Sequence, residues 1–316
     1  MPEADSSRQN NSSEENLHHD SADNDDNNLE ELAEEDFLKQ IRACIDASEP
    51  LDLMGRQVTL TRGAIRLKGR DQLTIQGGRI DGRVHSLFQI DGDKRNHPRR
   101  LTLHSVTLRH TKAHEDPREI GAAVFCMGSC QVVLRQCDIS SQGGFAVWAK
   151  HKCHVLVDHC QIHHVARTAV ACFNSVHVTV KHSSLEHVGV HGICGRGVST
   201  MELEHVVMRH CRVRAVMVYQ GATISLQDCS ISHTDDPTTP TIHAQGPVEE
   251  EDQDQEETAT NPSGSNAASS SQCANERAVL VPTLRMERCS VTDSKGPPLF
   301  MEGKVHQEII ECDIPT

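Results

Sequence analysis

Aromatic residues are scarce. One Trp, one Tyr and six Phe make up 3 % of the 316 residues, which weighs against a base- or sugar-stacking platform. Long apolar runs are missing too. No stretch approaches the about 18 consecutive apolar residues of a membrane helix, so no membrane partner is expected. The opening residues, MPEADSSRQNNSSEENLHHD, have no basic n-region and no apolar h-region, so no secretory signal is expected. The 13 cysteines include no Cys-x-x-Cys. Without a secretory signal they read as reduced thiols in the cytoplasm or nucleus, not as a disulfide framework.

Positive charge is also in deficit. Acids number 45 against 31 Lys and Arg, a net charge of −14, which argues against specific nucleic-acid binding. The deficit is local. Residues 1–36 hold 13 acids and one Arg, and Pro247–Arg277 (PVEEEDQDQEETATNPSGSNAASSSQCANER) hold eight acids and one Arg. Both stretches are polar and are expected to be disordered. Setting their −12 and −7 aside leaves about +5 for the rest. The acidic segments are therefore expected to fold back and compete for a basic face.

A helix comes first. Asp26, Asn27 and Asn28 offer an N-cap, and Leu29, Leu32, Leu38, Ile41 and Ile45 follow at roughly helical spacing. Ser48-Glu49-Pro50 ends it. Acids lead, and Lys39 and Arg42 sit later, as the helix dipole favours.

The sequence then repeats with a period of 23. Segments starting at Cys130, Cys153, Val176 and Ser199 align without gaps, and a fifth starts at Ala222. After the acidic insertion the phase returns at Met286, Cys289 and Val291. It returns again at Ile309, Cys312 and Ile314. Within a repeat, positions 3 and 5 are apolar, as are 8 and 10, and 18 and 20. These are three short period-2 runs, hence three strands per coil. A leucine-rich repeat is the rival, but no Leu-x-x-Leu segment follows the Cys. The expected fold is all-β: a right-handed parallel β-helix of about nine coils with an N-terminal capping α-helix. The expected boundaries are an acidic tail at 1–28, the capping helix at 29–48, and the β-helix at 49–316, interrupted by the insertion at 247–280.

Motifs such as CQVVLRQCDISSQGGFAVWA, and the opening LDLMGRQVTLTRGAIRLKGRDQLTIQGGRIDG, resemble the parallel β-helix repeats and first coils of the pectin-lyase-like superfamily. The Cys-rich style is similar to the β-helix regions of F-box-only proteins and of the SHC SH2-domain-binding protein. That resemblance implies an interaction surface, although no F-box is recognisable. The superfamily also hosts lyases, hydrolases and epimerases, so fold alone does not give function.

Cys137, Cys160, Cys229, Cys289 and Cys312 share repeat position 8 and are expected to form an inward column. Cys126 and Cys130 straddle a coil boundary, and zinc is not expected there. Histidines form ladders: His110, His164, His187, His210 and His233 at position 12, and His159, His182 and His205 at position 7. Outward polar turn stacks are expected. The sharper reading is a metal-binding or pH-responsive edge at His164, His187, His210 and His233. No cofactor is expected.

Catalytic acids are hard to find. Hydrolases need two converging carboxylates. Asp235-Asp236 reads as a loop before Pro237, and Asp81, Asp91 and Asp93 are the residual candidate for a calcium or sugar site. No catalytic residue is assigned.

One face looks like a binding surface. If positions 18 and 20 of the third strand point in, then 17, 19 and 21 point out. Phe125, Trp148, Lys150, Phe173, Arg196, Met217 and Tyr219 then share an apolar stripe with cations beside it. The expected function is a non-catalytic scaffold for protein–protein interaction; the alternative is a carbohydrate-binding or carbohydrate-active protein of the same fold. The last repeat stops at position 12, leaving a strand edge that end-to-end self-association, or the acidic insertion or tail folding over it, would cover.

Overall fold

The computed structural model describes residues 29–92, 98–112, 120–247 and 280–315. The two segments expected to be disordered, and their folding back, fall largely outside the described residues.

The 23-residue period is realised as three strands per turn. One coil runs Cys130–Arg135, Asp138–Ser141 and Gly144–Lys150; the next runs Cys153–Asp158, Gln161–Val165 and Thr168–Phe173. First strands stack into a ten-stranded sheet, and second and third strands into two nine-stranded sheets. The pairings are parallel, and through the central coils they run at the repeat spacing: Cys130 faces Cys153, Val155 faces Val178, and Val178 faces Met201. This is a right-handed parallel β-helix, the hand that parallel crossovers favour.

The alternation drives this winding. Val132, Leu134, Ile139, Val147 and Ala149 turn inward in one coil, and Val155, Val157, Ile162, Val170 and Cys172 stack on them in the next. Each apolar side chain thus has a like neighbour above and below, and a single continuous core fills the tube.

The turns explain the cysteine column. Position 7 is left-handed in coil after coil: Gln136, His159, His182, His205, Asp228 and Arg288 all have φ between 50° and 53°, except His182 at 47°. His tolerates this region better than most residues. The following position 8 then closes the turn. Cys160 Sγ donates to the carbonyl of Asp158 at 3.4 Å, and Cys137 does the same to Arg135 at 3.3 Å. The Cys137 N–H in turn donates to Cys160 Sγ at 3.4 Å. Ser183 plays the same part, taking the Cys160 N–H at 3.0 Å and donating to Lys181 at 2.6 Å. The column is therefore both core and turn cap, which size alone would not have indicated.

The capping helix is shorter than expected. It spans Glu34–Ala47 rather than starting at 29, and its N-cap is Ala33. Residues ahead of it are extended, with Glu31 bridged to Gln57. Strand pairing with the first coil outcompetes the helical spacing of Leu29 and Leu32. Phe37 and Ile41 bury against the core. Ser48, at φ 57°, ends the helix, with the Glu49 N–H returning to Cys44.

Candidate functional site

The third sheet departs from strict alternation at one place. Position 17 was expected to face out with 19 and 21, but Ala123, Ala146, Ala169 and Ala215 lie in the main core. The cause is a corner in the strand. Two consecutive residues, 17 and 18, turn inward, and position 17 sits where space is tightest. A Cβ on Gly192 would approach the Ala215 carbonyl to 2.7 Å and Cys211 Sγ to 3.2 Å, so only small residues fit.

The corner reverses the parity before it. Position 16 therefore points outward and supplies Phe145, His191 and Arg214. Position 15 adds Arg167. Sequence reasoning missed all four, and the only available signal was a uniformly small column beside a variable one.

The expected stripe lies on this outer face. Trp148 packs between Phe125 and Phe145, with ring centroids 5.1 and 4.9 Å away, and Phe173 stands edge-on at 6.5 Å. Lys150 Nζ sits 3.9 Å over the Trp148 ring, and burial lowers its pKa. Arg196 is exposed, with Nε donating to Gln220 at 3.0 Å. Met217 is a correction: it was expected to be exposed but is only 1 % so, lying in register between Cys194 and His243. It is floor rather than contact surface.

Beside the aromatic cluster runs a groove of about 1170 Å³. Phe145, Arg167, Phe173, His191, Arg196 and Tyr219 are among its walls, and among the described residues no Asp or Glu lines it. Two polar hydrogens in and next to it lack acceptors among the described residues, those on Trp148 Nε1 and Arg214 Nε. Burial, then the Arg214 charge, push the His191 imidazole down to about 4, with Arg167 and His243 acting the same way and a hydrogen bond to the Val190 backbone opposing them.

That shift has a thermodynamic sign. In the unfolded chain this imidazole takes a proton near pH 6.5, whereas in the folded chain it resists until about 4. The stability is fully present above 6.5 and is lost as pH falls toward 4. His191→Asn should remove about 2 kcal/mol of that pH-dependence, measured by urea unfolding at pH 7 and pH 4.5. Identical slopes in the two proteins would refute it.

The histidine ladder lies on another edge. His187 and His210 stack with centroids 4.8 Å apart and planes 3° from parallel; His164 and His233 extend the stack at 5.0 Å on either side. All four have left-handed φ. A shallow groove of about 430 Å³ runs beside them. Face-to-face stacking keeps the ring nitrogens side by side rather than converging. Burial first, then the neighbouring His187 and His233, lower the His210 pKa. His110 does not join the ladder. It is buried, contacting Ser141 Oγ at 2.9 Å and the Val84 carbonyl at 2.7 Å.

The acidic candidates do not assemble. Asp81 is held by Arg79 at 2.8 Å in the second sheet, and Asp91 accepts from Gln89 at 2.9 Å in the third. Asp93 lies outside the described residues. Asp236 caps Thr238 in its loop. One donor cluster does converge: Cys126, Cys130 and Cys153, all buried, with sulfurs within 4.8 Å of one another.

A family model described as "Right handed beta helix region" matches residues 101–314. No curated protein matches in sequence. Among solved structures, the periplasmic alginate epimerase AlgG is similar at 8 % identity and TM-score 0.37, over 90 % of this chain and 84 % of that one. The Azotobacter vinelandii mannuronan C-5 epimerase AlgE4 A-module is similar at 11 % and 0.39, over 87 % and 90 %. The GH87 α-1,3-glucanase of Streptomyces thermodiastaticus follows at 8 % and 0.25, over 88 % and 65 %.

Proposed function

The chain belongs to the right-handed β-helix family, and from that premise we propose that it is a non-catalytic binding scaffold whose third-sheet groove takes an extended acidic segment of a protein partner. The observation that carries this reading is the set of unsatisfied donors. Trp148 Nε1 and Arg214 Nε have no acceptor among the described residues, and Arg167 and Arg196 line a groove in which no carboxylate is found among the described residues. Buried donors left unmade are costly, and anionic oxygens from a ligand would satisfy them. The flanking aromatic rings supply the apolar contact that fixes such a chain in place.

A second reading shares these donors. An acidic glycan presents carboxylates at regular intervals along a stiff chain, and the exposed faces of Phe173 and Tyr219 suit sugar rings.

Trp148 is the chain's sole Trp and reports on the groove through Phe145 and Phe173, which line it. Titration with a Glu-rich peptide should shift its fluorescence, and the affinity should fall about tenfold or more between 50 and 300 mM salt. A response to an oligouronide alone would favour the second reading. No response to either polymer would remove both.

A further inference from the structure

A corner of the tube brings three thiols together. Cys126 lies near the end of the strand Gly121–Met127, Cys130 opens the strand Cys130–Arg135, and Cys153 opens the equivalent strand one coil later. Gly128, with φ 79°, makes the turn between the first two, where a side chain would strike the Gly92 carbonyl. Cys130 and Cys153 are register partners, and the Cys130 thiol donates to Cys153 Sγ at 3.2 Å.

We infer that Cys126, Cys130 and Cys153 form a binding site for a thiophilic monovalent cation, Cu(I), held by three sulfurs.

The geometry fits the ion. Metal–thiolate bonds of about 2.3 Å in a trigonal plane place sulfurs about 4 Å apart, inside the 4.8 Å limit of the trio. Soft thiolates select Cu(I). Zinc prefers four ligands, and no fourth His, Cys or carboxylate joins the group among the described residues.

A second, independent observation points to the same place. Arg99, the register partner of Cys130 on the preceding coil, is only 6 % exposed, and its Nε and Nη1 have no hydrogen-bond partner among the described residues. Its charge acts on the Cys130 sulfur. Buried guanidinium N–H groups left without acceptors are costly, and a copper–thiolate complex would offset them. Cu⁺ displaces three S–H protons and leaves a centre of charge −2, which Arg99 reduces to −1. Affinity should therefore rise with pH. Access exists as well: a groove of about 590 Å³, with Pro98, Ser129, Gln131 and Lys152 in its walls, reaches Cys130.

The other buried cysteine neighbours lack this pattern. Cys137 and Cys160 form a pair that caps its turns, with no third thiol within reach among the described residues.

The test is anaerobic titration of the reduced full chain with Cu(I) against bicinchoninate, with X-ray absorption of the loaded protein. One tight equivalent is expected, with three sulfurs at about 2.3 Å. Cys130→Ser with Cys153→Ser should lower affinity at least about 100-fold, whereas Cys137→Ser with Cys160→Ser should leave it unchanged. Arg99→Gln should weaken binding about tenfold, and it decides the matter should the first pair fail to fold. Absence of a tight equivalent, coordination by fewer than three sulfurs, or full retention in the Cys130/Cys153 variant would overturn the site. Equal competition by zinc would overturn its assignment to copper.

Discussion

Arg167→Glu combined with Arg196→Glu should lower the affinity for a Glu-rich peptide by about 100-fold at low salt, while the unfolding midpoint stays where it was. Both arginines are exposed on the groove wall. Surface substitutions of this kind normally change stability by no more than about 0.5 kcal/mol. Reversing two charges replaces attraction by repulsion along the path of the ligand, and most of the loss should appear in the association rate. The effect should also shrink as salt rises, because exposed charges are screened within about 8 Å at physiological ionic strength. Stopped-flow measurement on Trp148 reads all of this in one experiment. An unchanged association rate in the double variant would place the ligand elsewhere.

Phe37→Ala should cost about 3–5 kcal/mol, the usual price of emptying a buried Phe site. Phe37 is fully buried, and the helix that carries it closes the first coil. The helix is also tethered by Glu34, whose carboxylate accepts the Thr61 hydroxyl at 2.7 Å and the Thr61 and Arg62 N–H groups at 3.0 and 3.1 Å. Burial would raise the Glu34 pKa, but these bonds lower it. The loss should not spread evenly. In a stacked repeat each coil contacts mainly its neighbours, so hydrogen exchange should accelerate first over residues 51–91 and little beyond Cys153. Uniform acceleration along the chain would contradict this.

Much of the fold could be read from residue spacing. Val155, Val157, Cys160 and Ile162 announce two strands and a turn, and the gapless 23-residue alignment makes neighbouring coils register partners. Trp148, Phe173, Arg196 and Tyr219 were placed on the outer face by the same parity. Phe145, Arg167, His191 and Arg214 were not, because parity carries no information about a corner where two successive residues turn inward. Met217 was misassigned for a different reason. Its strand position does face outward, but Cys194 and His243 flank it on the neighbouring coils, and exposure depends on neighbours rather than on direction. Of the copper trio, Cys126 and Cys130 were singled out by their step of four, with no zinc expected there, while Cys153 escaped because a step of 23 along the axis does not resemble a metal motif.

The in-register stacking has a consequence for what the groove can measure. Successive coils offer their side chains about 4.8 Å apart, while an extended peptide advances about 3.3 Å per residue and a polyproline-type chain about 3.1 Å. Two coils therefore match three ligand residues, and every third residue of a bound segment meets an equivalent wall. The tube acts as a ruler. Acidic residues spaced by three would fall into step with it, and the same charges spaced by two would drift out of step after a single coil.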